Sequence, residues 1–169
     1  MSLSKTTKEF IEENSELIES EDWNSLYDKT HLSNVDVCEL TEAFYEAGLN
    51  PLDGMTSIPS HFLEGSTIQS FIVPNNITSI LQDAFYGSKL HTIQLPEGLT
   101  TIDDEAFTGS SLSKVDLPTT CRRLGEDCFR KTQLTKIDLS HVVFLGEGCF
   151  QDCESLKDVI IGSNIRVLP

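Results

Sequence analysis

Two kinds of apolar spacing divide this chain. Over residues 55–169, apolar and polar positions alternate in a short phrase, Leu-x-x-Ile-x-Leu, that returns repeatedly. It reads Ile68–Val73, Leu90–Leu95, Leu112–Leu117, Leu134–Leu139 and Leu156–Ile161, and successive phrases start 22 residues apart throughout. Such alternation predicts a short strand with one buried and one open side. Pro74, Pro96 and Pro118 follow three of the phrases at once; proline has no N–H and ends a ladder there. Further apolar positions come in order, first Ile77, Leu99, Cys121 and Ile165, then Ile80, Ile102, Leu124 and Leu168. A phenylalanine closes the unit, Phe85, Phe107 or Phe129, behind a small residue, Ala84, Ala106 or Cys128. The fourth unit lacks one residue, giving Leu139, Val142, Leu145, Cys149 and Phe150, and regains it before Leu156. A degenerate unit starts earlier, with Ile58, Phe62 and Ile68. Units this small bury an apolar face only against their neighbours, so a fixed short period predicts a stacked solenoid. Stacking at the strand spacing of about 4.8 Å makes columns of equivalent side chains. Ile93, Val115, Ile137 and Val159 form one, Leu95, Leu117, Leu139 and Ile161 another, and the phenylalanines a third on the opposite wall.

Residues 1–54 follow helical spacing instead. Phe10, Ile11, Asn14, Leu17 and Ile18 share one helix face, with Thr6 or Thr7 as N-cap. Ser20 is expected to cap a second helix carrying Trp23, Leu26 and Tyr27. Ser33, with Asp36 three residues on, is expected to cap a third that buries Val37, Leu40, Phe44 and Ala47. Gly48 fits its C′ position, with Leu49 packing back and Pro51 following. The domain reading is an acidic helical cap region over 1–54, covering the first rung, and a solenoid of about five units over 55–169.

Taken together, Leu-x-x-Ile-x-Leu-Pro, then Leu-x-x-Ile, then Ala/Cys-Phe closely resembles the leucine-rich repeats of the BspA-like type. That family's Ala-Phe-x-x-Cys-x-x-Leu phrase is matched best by Cys149–Leu156; the other units place Ser88, Ser110 or Thr132 near the second cysteine position. The resemblance covers about residues 58–169. It implies an α+β chain: a short right-handed leucine-rich-repeat solenoid with a parallel β-sheet on its concave side, capped by the N-terminal helical region. It implies recognition rather than one activity, since such repeats serve adhesion, recognition and host interaction.

Charge narrows the function classes. The formal net charge is −15, and residues 1–54 carry −10 of it, from three basic and thirteen acidic side chains. That argues against direct binding to nucleic acid, which needs clustered Lys and Arg. The start of the chain, Met1–Glu9, is polar, so no signal peptide and no membrane span is expected. Five cysteines, an odd number without a dense framework, read as free thiols in a reducing, cytoplasmic setting. A short acidic chain of this kind suits a bacteriophage or other virus, acting in the host cytoplasm.

Two surfaces are candidates for a partner. Alternation turns the third and fifth phrase positions outward on the concave side. Thr92, Gln94, Lys114, Asp116, Lys136, Asp138 and Asp158 stand there, with Ile72 and Ile160 as apolar ends. Lys114 is expected beside Lys136 and Asp116 beside Asp138, with crossed Lys–Asp contacts offsetting the like charges. The second edge presents Arg122, Arg123 and Phe144, a composition closer to that of binding hot spots. A solvated charged sheet and an inward-turned Phe144 are the competing readings. Cys128, Cys149 and Cys153 fit no zinc spacing and read as core residues. His31, His61, His91 and His141 share no pattern, and no phosphate loop or metalloprotease motif is present. The expectation is a non-enzymatic protein-binding module without cofactor or metal, an inhibitor of a host protein. The alternative is an acidic nucleic-acid mimic acting on a basic partner. The uncapped end at Val167–Pro169 suggests either a homodimer through the last rung or a truncation.

Overall fold

Segments 22 residues apart pair as parallel strands, and that register builds the second half of the chain. The computed structural model describes residues 4–20, 23–27 and 37–167. The chain divides into two units, Met1–Met55 and Thr56–Pro169. In the second, the strands are β1 (Ser57–Ile58), β2 (Ser70–Ile72), β3 (Ser79–Ile80), β4 (Thr92–Gln94), β5 (Thr101–Ile102), β6 (Arg123–Leu124), β7 (Lys136–Leu139), β8 (Phe144–Leu145), β9 (Asp158–Ile161) and β10 (Arg166–Val167).

The continuous sheet is not the one that the alternating phrase predicts. Six strands, in the order β1-β3-β5-β6-β8-β10, form the unit's second short segment into one parallel sheet. The phrase itself makes only the pairs β2-β4 and β7-β9, with a single bridge from Thr92 to Lys114. Threonine side chains strengthen the longer sheet. The Thr78 N–H and hydroxyl both donate to the Thr56 carbonyl, at 2.8 and 3.2 Å, and those of Thr100 donate to Thr78, at 2.8 and 3.0 Å. The missing residue of the fourth unit is absorbed in a turn. Pro74, Pro96 and Pro118 each open a turn whose carbonyl accepts an N–H three residues on, at 3.1, 3.1 and 2.9 Å. Leu139 ends its strand and also opens the equivalent turn to Val142 at 3.1 Å, doing the work of two residues. Arg123 therefore still pairs with Phe144, and Phe144 with Arg166.

The core is a set of columns. Ile58, Ile80, Ile102 and Leu124 are buried behind the longer sheet, and Ile93, Val115 and Ile137 behind the shorter ones. On the far wall Phe85, Phe107, Phe129 and Phe150 stack with centroids 5.1, 5.2 and 5.7 Å apart and planes within 2°. Of the two arrangements that rings favour, stacked and edge-to-face, the rung spacing selects the stacked one. In the first repeat Leu63 takes the phenylalanine position, and Phe62 and Phe71 fill the space at a tilt, Phe71 lying 5.6 Å from Phe85. Backbone bonds tie each corner to the next, Phe85 N–H to Ala106 at 2.8 Å and Phe107 N–H to Cys128 at 2.9 Å.

The corner turns through two left-handed residues that flank the Ala/Cys-Phe pair. One row is His61, Asp83, Glu105, Asp127 and Gly148; the other is Gly65, Gly87, Gly109, Lys131 and Asp152. Most of these are Gly or Asp, residues that tolerate this conformation at low cost. Beside them runs a buried row, Ser66, Ser88, Ser110 and Thr132, leading to Cys153. The Thr132 hydroxyl donates to the Phe129 carbonyl at 2.9 Å, and the Cys153 thiol donates to it at 3.0 Å. The serine hydroxyls are buried without a partner.

In the first unit, Ser4 rather than Thr6 or Thr7 caps α1 (Lys5–Glu13), accepting from the Thr7 N–H at 3.2 Å. The long helix face expected through Ile18 is broken at Asn14, whose backbone leaves the helical region before α2 (Ser15–Glu19). Its side-chain amide donates to the Phe10 carbonyl at 2.9 Å. Ser20 ends α2 instead of starting the next helix. In α3 (Trp23–Tyr27) Trp23 and Leu26 are buried, and in α4 (Val37–Glu46) Leu40 and Phe44 are, with Trp23 5.1 Å from Phe44. Ala47 is exposed, against expectation. Gly48, at φ +79°, lets Leu49 N–H reach back to the Phe44 carbonyl at 2.9 Å and close α4. The cap expected at Ser33 and Asp36 lies outside the described residues.

The columns lead to two stability predictions. Phe107→Ala, opening a gap between two stacked rings, is expected to cost about 3–5 kcal/mol in denaturant unfolding. Ser88→Cys replaces a buried, unpartnered hydroxyl by a group that needs no strong partner. It is expected to stabilise by about 1 kcal/mol, seen as a rise of about 2–4 °C in Tm.

Candidate interaction faces

Strand alternation decides which side chains the solenoid offers. On the shorter sheets Thr92, Gln94, Lys114, Asp116, Lys136, Asp138 and Asp158 are all exposed. They do not form one ladder. Among the described residues no pairing joins Lys114 to Lys136 or Asp116 to Asp138, because the pairing lapses between those two rungs. The expected crossed contacts are replaced by bonds within one segment. The Lys114 ammonium reaches its own neighbour Asp116 at 2.8 Å. Asp138 accepts the Ser140 N–H at 2.8 Å and also the Ser140 hydroxyl, and these bonds hold its carboxyl below the ordinary range. Lys136 stands directly opposite Asp158 on β9. Lys114, Asp116 and Asp138 are thus engaged within their own segments. Ile72 is 70% exposed and Ile160 58%.

The longer sheet offers something different. Its outward row reads Ser57, Ser79, Thr101, Arg123, Phe144 and Arg166 in strict register. Phe144 points outward, 37% exposed, between Arg123 on one neighbouring rung and Arg166 on the other. Arg122, expected in the same site, is engaged elsewhere. Its guanidinium donates to the His141 carbonyl at 2.6 Å and so braces the shortened turn. Arg166 belongs in the site in its place, and the 22-residue step from Phe144 was the signal that could have found it.

The corner beside this face is acidic. Asp83, Asp103 and Glu105 are held above the ordinary carboxylate range, in each case chiefly by burial. Asp83 and Asp127, on the rungs either side, push Glu105 further up. His61 Nδ1 lies 2.7 Å from Glu64 and 3.9 Å from Asp83. In the helical unit the opposite holds: Glu39 accepts from the Thr7 hydroxyl and from Ser4, whose N–H lies 2.7 Å away, and its carboxyl is lowered.

Cys121, Cys128 and Cys149 are buried free thiols; burial pushes Cys121 up to about 11 and Cys128 well above its ordinary value. Among the described residues no group of His, Cys, Asp and Glu could hold a metal ion. His31 lies outside the described residues. On β9 Val159 is 43% and Ile161 64% exposed, although Ile93, Val115 and Ile137 in the Val159 column, and Leu139 next to Ile161, are buried.

Parallel rungs, a phenylalanine wall and a fixed 22-residue register define a leucine-rich-repeat solenoid. The profile of the BspA type leucine rich repeat region matches in six copies over residues 56–169, and the chain belongs to that family. A leucine-rich repeat protein from Bacteroides ovatus is similar, at 26% identity and a TM-score of 0.63, over 67% of this chain and 30% of that one. The Treponema pallidum leucine rich repeat protein is 28% identical over 54% of this chain and 55% of that one, with a TM-score of 0.40. The pneumococcal vaccine antigen PcpA is 23% identical over 67% and 33%, with a TM-score of 0.39. The chain thus spans less than a third of the Bacteroides protein. No curated protein matches it.

The raised corner carboxyls have a sign. A folded state that holds a carboxyl above its ordinary value is penalised wherever that group is ionised, and the penalty disappears below the unfolded value. Glu105→Gln is therefore expected to raise the unfolding midpoint at neutral pH. The gain should fade as pH falls through the raised value and vanish below the ordinary value of 4.5, where the carboxyl is protonated in both states. Glu39 has the reverse dependence: its contribution is complete above its ordinary value and is lost as pH falls through the lowered one. Unfolding curves between pH 7 and pH 4, read by Trp23 fluorescence for the helical unit and by circular dichroism for the whole chain, check both signs.

Proposed function

We propose that this chain is a protein-interaction module that binds its partner through the outward row of the six-stranded sheet. Leucine-rich repeats of this family suggest such a role. The observation that carries it is Phe144, an aromatic side chain left outside the core between two arginines on adjacent rungs. Aromatic and arginine side chains dominate binding energy at protein interfaces. The shorter-sheet face, from Thr92 to Asp158, serves as a secondary surface in this reading, because it offers no aromatic or arginine side chain and Lys114 and Asp138 are engaged by their neighbours.

The finer reading is inhibition of a host protein by a viral module acting in the cytoplasm. Its alternative is imitation of nucleic acid by the acidic residues 1–54. Both rest on charge, and salt separates them: mimicry predicts binding that weakens steeply with ionic strength. A second reading concerns self-association through the last rung, favoured by the exposed Val159 and Ile161. Among the described residues no helix is long and apolar enough to cross a membrane.

The test is capture of a partner by the full chain at low and high salt, with two variants. Phe144→Ala, exposed and outside the core, is expected to leave folding unchanged and to lower affinity by about tenfold or more, roughly 1.4 kcal/mol. Lys136→Glu is expected to have a smaller effect. Retention of the partner by Phe144→Ala would remove the basis of the proposal.

A further inference from the structure

The Arg123–Phe144–Arg166 row also indicates what kind of segment it would take. The two arginines sit on either side of Phe144 in ladder register, so two rungs separate them. That is a spacing of about 9.6 Å at roughly 4.8 Å per rung. Neither guanidinium has an ion pair among the described residues, whereas Lys114 is matched with Asp116 and Arg130 with Asp127 and Asp152. Asp103 feels the charge of Arg123 without an ion pair between them. Two unmatched guanidiniums present planar forks that fit carboxylates bidentately. The ring between them offers an apolar surface.

Charge distribution selects the size of the ligand. Residues 1–54 carry −10, residues 55–119 two basic and seven acidic side chains, and residues 120–169 seven of each. Within the solenoid, residues 120–169 are therefore neutral while residues 55–119 are negative. A long polyanion such as nucleic acid, or an anionic bilayer, extends along the negative rungs and meets their repulsive field. A short acidic peptide needs only the neutral rungs. The spacing selects its conformation: an extended polyproline-type segment repeats every three residues at about 3.1 Å each, so positions i and i+3 lie on one face about 9 Å apart.

Resting on the interaction role proposed above, we infer that this row binds an extended acidic protein segment whose carboxylates are three residues apart, the aliphatic stems of those acidic side chains and the backbone between them lying over Phe144. The peptide Gly-Glu-Pro-Leu-Glu-Gly, titrated into the isotope-labelled full chain by NMR, tests it. Shifts are expected at residues 122–124, 143–145 and 165–167, with affinity falling about tenfold when both Glu are replaced by Gln. The same loss is expected for Arg123→Gln and, should that variant fold poorly, for Arg166→Gln on the exposed last strand. Equal shifts with the Gln peptide would overturn the acidic specificity and leave the protein-binding role standing. Stronger binding of a short oligothymidylate would overturn the choice of a peptide. Absence of shifts at this row overturns the inference; if a captured partner also ignores Phe144→Ala, the interaction role falls with it.

Discussion

Everything in the solenoid depends on one vertical constraint: backbone hydrogen bonds hold equivalent positions a single strand spacing apart, rung after rung. Side chains 22 residues distant in sequence are nearest neighbours in space. Each position type is thereby judged against copies of itself. Isoleucine on isoleucine or phenylalanine on phenylalanine gains burial at every step, and the rung spacing selects the stacked ring arrangement over the edge-to-face one. Carboxylate on carboxylate loses at every step. In the corner row, burial raises the Glu105 carboxyl, and Asp83 and Asp127 on the neighbouring rungs raise it further. Those residues stand where the chain needs a left-handed turn, and the backbone requirement outweighs the repulsion.

The same constraint explains how the candidate face arises. A residue is lost from the fourth unit, yet the columns continue, because Leu139 serves as both strand end and turn opener. The register then resumes with Phe144 in an outward position that other rungs fill with serine, threonine or arginine. An apolar ring there stays 37% exposed, which sets this position apart from Phe85, Phe107 and Phe129, all fully buried.

The two sheets divide the labour. The shorter, interrupted one engages Lys114 with Asp116 and Asp138 with Ser140 in local contacts. The longer one runs unbroken through six rungs, reinforced by threonine hydroxyls that double the rung-to-rung bonds at Thr78 and Thr100. A rigid, regular array of outward positions is the better platform for a binding row. Side chains held at fixed spacing lose little further freedom when a partner arrives.

Periodicity made the architecture legible in advance: the repeat length, the family, the burial of Ile93, Val115 and Ile137, the phenylalanine wall and the compensated deletion are all consequences of one-dimensional spacing. The row Arg123, Phe144 and Arg166 was half legible, since its members are one repeat apart once the missing residue of the fourth unit is counted, although Arg122 stood in for Arg166. Local chemistry at the helix ends was not. Ser4 caps α1 with help from Glu39, a carboxylate 35 residues away, and no spacing rule announces a contact of that range. Nor could alternation tell which of two strand segments would pair continuously, or that Lys114 would turn to Asp116 rather than across a ladder to its neighbours. Repetition along the chain specifies which positions stack. Which hydrogen bonds and ion pairs then form depends on distances between rungs and on competing partners nearby, and those exist only once the chain has folded.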